Sequence, residues 1–96
     1  MKHIVKFKKW TCVIQKEKYQ NNRTALYLVD CKSGEDVLTA TVNVPELPLK
    51  ADEVVIKNYS ENEGVLPVLV NANIISEPLR YEELNFVIVP VCKLLI

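Results

Sequence analysis

Apolar residues in this chain recur mainly at every second position, the spacing of strands with one covered face. Ile4, Val5 and Phe7 stand against Lys2, Lys6 and Lys8, and Trp10 to Lys16 is rich in β-branched and aromatic residues. Residues 4–18 therefore predict one long strand, or two with a bend at Lys8-Lys9. Gln20-Asn21-Asn22 reads as a turn. Thr24 to Cys31 is apolar on both faces and predicts a central strand. Lys32-Ser33-Gly34-Glu35 predicts a hairpin turn, with Gly34 supplying the positive φ. Asp36 to Val44 returns with Leu38, Ala40, Val42 and Val44 on one face and Val37, Thr39, Thr41 and Asn43 on the other. Two prolines in Pro45 to Asp52 end it. Glu53 to Lys57 is a short strand. Ser76 to Leu84 reads as a polar connector. Asn85 to Leu95, nearly all apolar, predicts a last strand in which Pro90 demands a bulge or an unpaired amide.

The period changes once. Ser60 and Glu63 have the spacing of a capping box, which pairs side chain and amide in both directions. Val65, Leu66, Leu69 and Val70 follow as one helical stripe. The expectation is a short helix over about 61–72, kinked or tightened at Pro67, with Asn71 or Asn73 in the left-handed conformation at its end. The order is β-β-β-β-α-β. Short turns argue for antiparallel pairing, so the predicted fold is α+β, a curved, mainly antiparallel sheet of about five to six strands with one helix on it.

Composition narrows the classes. Ninety-six residues, 49% hydrophobic and 25% charged, suit a single domain over 1–96. No apolar run reaches the length of a membrane span, and the N-terminal residues lack the pattern of a signal peptide. The expected location is cytoplasmic, with no membrane contact. Cys12, Cys31 and Cys92 are widely spaced and sit in apolar segments, so three reduced, buried thiols are expected. Net charge is zero, but residues 1–33 carry eight Lys/Arg against two Asp/Glu, and residues 34–96 carry four against ten.

Ile56 to Leu66, Asn73-Ile74-Ile75 and Pro90-Val91-Cys92-Lys93-Leu94 resemble a family of small uncharacterised bacterial proteins, a domain of unknown function found in gut anaerobes, phages and other mobile elements. The shared hallmark is the Lys-x-Tyr-Ser-Glu-Asn-Glu-Gly run at Lys57 to Gly64, entering a helix. The likeness spans about residues 24–96. It implies a fold and a setting, and no activity or catalytic residue. Pro67 departs from the pattern, where a helix former is usual.

Candidate chemistry is sparse. Asn58, Tyr59, Glu61 and Asn62 exceed what a cap requires and form a candidate recognition patch, with local structure as the competing reading. Two glutamates there argue against a phosphate site. One histidine, His3, and two glycines leave no catalytic triad, zinc site or Gly-rich loop. No enzyme activity, cofactor or metal is expected. Lys6, Lys8, Lys9, Lys16, Lys18 and Arg23, interleaved with aromatics, are the residues of a weak nucleic-acid alternative, opposed by the neutral total charge. The leading expectation is a non-enzymatic protein-interaction or accessory module of a mobile element, with a protein partner or a homodimer through an edge strand.

Overall fold

The computed structural model describes residues 3–96. The fold is α+β, with seven strands in two antiparallel sheets among the described residues. β1 (Ile4–Phe7), β2 (Trp10–Lys18), β3 (Thr24–Asp30) and β4 (Asp36–Thr39) follow one another in the first sheet. β5 (Glu53–Val55), β7 (Val87–Lys93) and β6 (Arg80–Leu84) form the second, in the order β5-β7-β6. The expected single sheet is thus divided, but only just. Past β4, the Ala40 amide still donates to Leu26, while its carbonyl accepts from Lys57. Thr41 bridges Ile56, and the Val42 amide donates to Val55. A three-residue ladder therefore joins the sheets.

Each turn has a local cause. Phe7 pairs with Trp10 across Lys8-Lys9, so the bend is a two-residue hairpin turn with Lys8 at φ 54. Asn22, at φ 68, turns β2 into β3. The Asp30 carboxylate accepts from the Lys32 amide and the Ser33 hydroxyl, and Gly34 follows at φ 77. β3, between β2 and β4, is buried along most of its length, as its two apolar faces require.

The main core joins Val5, Phe7, Cys12, Ile14, Leu26 and Leu28 with Val65, Leu69, Ile74 and Cys92. A second cluster of Val55, Val89 and Val91 lies under Val42, Leu47, Leu49 and Tyr59. The alternating row after Asp36 does not stay in one core. Leu38 and Ala40 enter the first and Val42 the second, because the chain passes from β3 to β5 between them. Cys31 is exposed, unlike Cys12 and Cys92, since it falls in the turn after β3. Burial, with Glu77 adding a smaller push, raises the Cys92 thiol to about 11, so it stays protonated and packs as a small hydrophobe.

One correction concerns the later half. Arg80 to Leu84 is a strand. It alternates, with Arg80, Glu82 and Leu84 more covered than Tyr81 and Glu83. Its covered charges are paired: Arg80 donates to Glu82 at 2.9 Å and to Glu53 at 3.2 Å. At Pro90 the second of the two expected outcomes holds, an unpaired position without a bulge. The Pro90 carbonyl accepts from Ile56, so its backbone faces β5, where the missing amide falls at the end of that ladder.

The helical region lies where expected but in two pieces, a 3-10 turn at Ser60–Asn62 and α1 at Val65–Asn71. No capping box forms. Ser60 is itself at φ 56, and neither start has a side-chain cap from its adjoining residue. Pro67 is the third residue of α1 rather than the seventh. First-turn amides have no partner within the helix, so its missing N–H removes no helical bond. At the other end Asn73, at φ 60, is left-handed; its amide reaches Val70 and that of Ile74 reaches Leu69. This is a Schellman closure with Asn in the usual glycine place.

Candidate functional site

The four patch residues from Asn58 to Asn62 do different things. The Asn58 side-chain oxygen accepts from the amides of Gly64 at 3.2 Å and Leu66 at 2.9 Å. It is the cap of α1, acting from six residues before Gly64. Asn62 is 1% exposed, and its side-chain amide donates to the Thr39 carbonyl at 2.7 Å. This ties the 3-10 turn to the end of β4. Its side-chain oxygen has no hydrogen-bond partner among the described residues. Both asparagines therefore serve the fold.

Tyr59 and Glu61 remain partly available. Tyr59 packs on the second cluster, and Lys57 Nζ lies 5.6 Å from its ring centre. Lys57 also donates to the Glu61 carboxylate at 2.8 Å. That hydrogen bond is the main cause that raises the Lys57 pKa and lowers that of Glu61. The three side chains rim a shallow cavity of about 380 Å³ whose other walls include Thr39, Thr41 and Asn43. Its polar groups are largely engaged: Thr41 shares its hydroxyl with Tyr19 at 2.8 Å, and Asn43 accepts from Asn21 at 3.1 Å. Burial raises the Tyr19 phenol against the lowering effect of its Thr41 bond.

The basic residues are dispersed. Lys6, on β1, projects from the face opposite Val5 and Phe7. Lys16 and Lys18 pair with Leu26 and Thr24 on the other face of the sheet. Lys8 donates to the Glu61 carbonyl at 3.2 Å and Lys16 to the Ile96 carbonyl at 3.1 Å. Lys9 lies over Trp10, at 5.2 Å. Arg23 is spent on structure; its two terminal nitrogens donate to the Val44 and Leu47 carbonyls, each at 2.6 Å. That clamp holds the loop after β4 over the second cluster. Among the described residues no three His, Cys, Asp or Glu side chains gather into a metal-binding group, and no helix is long and apolar enough to cross a membrane.

A different surface stands out. The β6–β7 hairpin exposes Leu79, Tyr81, Phe86 and Ile88, with Phe86 fully exposed at the turn. Tyr81 pairs with Pro90 and Glu83 with Ile88, so Tyr81, Glu83 and Ile88 share one face. Near the turn, Val44 and Glu46 line a groove with Glu83, Leu84 and Asn85. Sequence reasoning missed this surface because Ser76 to Leu84 looked like a connector. The available signal was the alternation Arg80-Tyr81-Glu82-Glu83-Leu84 before an Asn-containing turn and an apolar strand. No family model, curated protein or solved structure matches the chain.

Proposed function

We propose that this chain is a non-enzymatic protein-interaction module, an accessory protein of a mobile element or its bacterial host, that presents the β6–β7 hairpin to its partner. What carries the reading is the apolar group Leu79, Tyr81, Phe86 and Ile88, each more than half exposed. Scattered apolar side chains are ordinary on a surface, but three on one hairpin and a fourth just before it mark a candidate contact site. Aromatic residues such as Tyr81 and Phe86 supply much contact area with few rotatable bonds. The polar run at Lys57 to Gly64, through which the chain resembles the mobile-element family, then acts mainly as the support of α1.

The test is affinity capture from a bacterial lysate with wild type, a Phe86→Ser/Ile88→Ser variant and a Tyr59→Ala/Glu61→Lys variant. The hairpin variant is expected to lose partners that the other two retain. Identical partner lists for wild type and the hairpin variant would remove the hairpin. The nucleic-acid alternative is read in parallel by mobility shift of a labelled single strand. A shift at about 50 mM salt that fades as salt is raised would replace the proposed reading, since phosphate-driven binding is strongest there.

A further inference from the structure

We propose that the partner at this hairpin is a second copy of the chain, joined antiparallel along β6 about a two-fold axis at Tyr81. The inference rests on the hairpin being the contact surface, and it adds the occupant and the register.

Among the described residues β6 is the outer strand of its sheet, with β7 on one side only. The direction of its backbone groups follows from β7. The Pro90 carbonyl accepts from the Ile56 amide at 3.1 Å and so faces β5. Tyr81 is the partner of Pro90. Backbone groups in an antiparallel ladder alternate sides, so the Tyr81 N–H and C=O face away from β7, toward the open edge. Glu83, opposite Ile88 and two residues on, faces the same way. This edge has backbone donors and acceptors to offer.

Side chains then choose among registers. With Tyr81 opposite Tyr81, the two copies exchange both backbone hydrogen bonds at the axis. Arg80 of each copy, which already bonds Glu82 and Glu53 of its own chain, then stands across from Glu82 of the other, twice over. Directly opposed unlike charges stabilise a strand pair, and like charges oppose it. Moving the axis to Glu82 sets Glu82 against Glu82, so the edge is self-complementary in one register and self-repelling in the next. Edge charges usually block pairing; here they sort it. On the other face Tyr81 meets Tyr81, with Glu83 of each copy beside the pair and Ile88 behind Glu83 on β7, so the two exposed rings come together at the axis. A two-fold pairing closes on itself and does not propagate into fibres.

Sedimentation equilibrium over a range of concentrations tests this with wild type, Tyr81→Lys and Ile4→Lys. Ile4 is the control, 54% exposed on β1 at the far edge of the first sheet. Wild type and Ile4→Lys are expected to be dimers that dissociate on dilution. Tyr81→Lys, which brings two ammonium groups to the axis, is expected to be monomeric throughout, with an unchanged circular dichroism spectrum. Wild type that stays monomeric up to its solubility limit would overturn the proposal, as would Tyr81→Lys that dimerises as well as wild type. A monomeric wild type that still captures other proteins through Phe86 and Ile88 ends the self-pairing and leaves the interaction reading intact. Loss of both ends both.

Discussion

The Asn58–Gly64 segment and the β6–β7 hairpin invert each other. The first is the most polar and distinctive run in the chain, and its asparagines are consumed inside the fold, one capping α1 and one tied to β4. The second begins inside an apparently polar connector, yet it leaves Tyr81, Phe86 and Ile88 in solvent. Polarity does not mark a binding surface and apolarity does not mark a core. What separates them is whether each group finds a partner within the chain. A buried amide N–H that donates to a carbonyl is part of the fold, and an uncovered aromatic ring is surface that another molecule can cover.

The contrast predicts where the molecule breaks. The largest effect is expected at Asn62. Asn62→Asp sets a carboxylate against the Thr39 carbonyl in a buried site, and an unpaired buried charge costs about 3–5 kcal/mol. Urea denaturation at neutral pH reads the loss, and acidification should recover part of it as the acid regains a donor. Full stability at neutral pH would mean that Asn62 is not buried. Next is the cap. Asn58→Ala should cost about 0.5–2 kcal/mol, whereas Ser60→Ala should stay within about 0.5 kcal/mol. The reverse order of denaturation midpoints would restore the capping box at Ser60 and Glu63.

The hairpin has its own fastening, and pH separates it from the helix support. The Glu53 carboxyl is held below its ordinary value, chiefly by hydrogen bonding from Arg80 and then by the Lys50 amide. Its folded pKa lies below its unfolded one. The stability it lends is therefore complete above the ordinary value of 4.5 and is lost as pH falls through the folded pKa. Thermal unfolding between about pH 6 and pH 3 should fall more steeply for wild type than for Glu53→Gln. Equal slopes would remove Glu53 as the fastening of β6 and the 43–52 loop. The smallest effect is at the tip. Phe86→Ser should change stability by less than about 0.5 kcal/mol, as at other surface positions. A larger loss would mean that Phe86 packs within its own chain and is no contact residue.

Much of the fold was legible. Alternation located β1 and β4, β-branched and aromatic richness located β2, and two apolar faces located β3; the Gly34 turn is fixed by a residue that accepts φ 77, and the stripe Val65, Leu66, Leu69, Val70 identified the helix. The Asn73 end was legible too, since Asn tolerates the left-handed conformation better than most residues. The cap was not. Ser60 and Glu63 have the right spacing, but spacing cannot report that Ser60 lies at φ 56 and Gly64 at φ 94, which breaks the helix between them. Nor does local sequence pair Asn58 with Leu66 across a turn, or Asn62 with Thr39 across 23 positions. At the candidate site, Tyr59 and Glu61 do line a cavity, but the hairpin face was hidden because Arg80, Glu82 and Glu83 disguised a strand as a connector.

By itself, then, the sequence determined the elements that depend on neighbours a few residues apart: turns, strand alternation, the apolar helix stripe and the left-handed helix end. Tertiary structure decided everything that depends on partners far along the chain. It set Arg23 against Val44 and Leu47, Arg80 against Glu53, and Thr41 against Ile56 to join the sheets. It also decided which residues remain without partners. The physical reason is that dihedral preference and hydrophobic period are local, whereas the satisfaction of a charge, an amide or an aromatic face is settled only when distant segments meet.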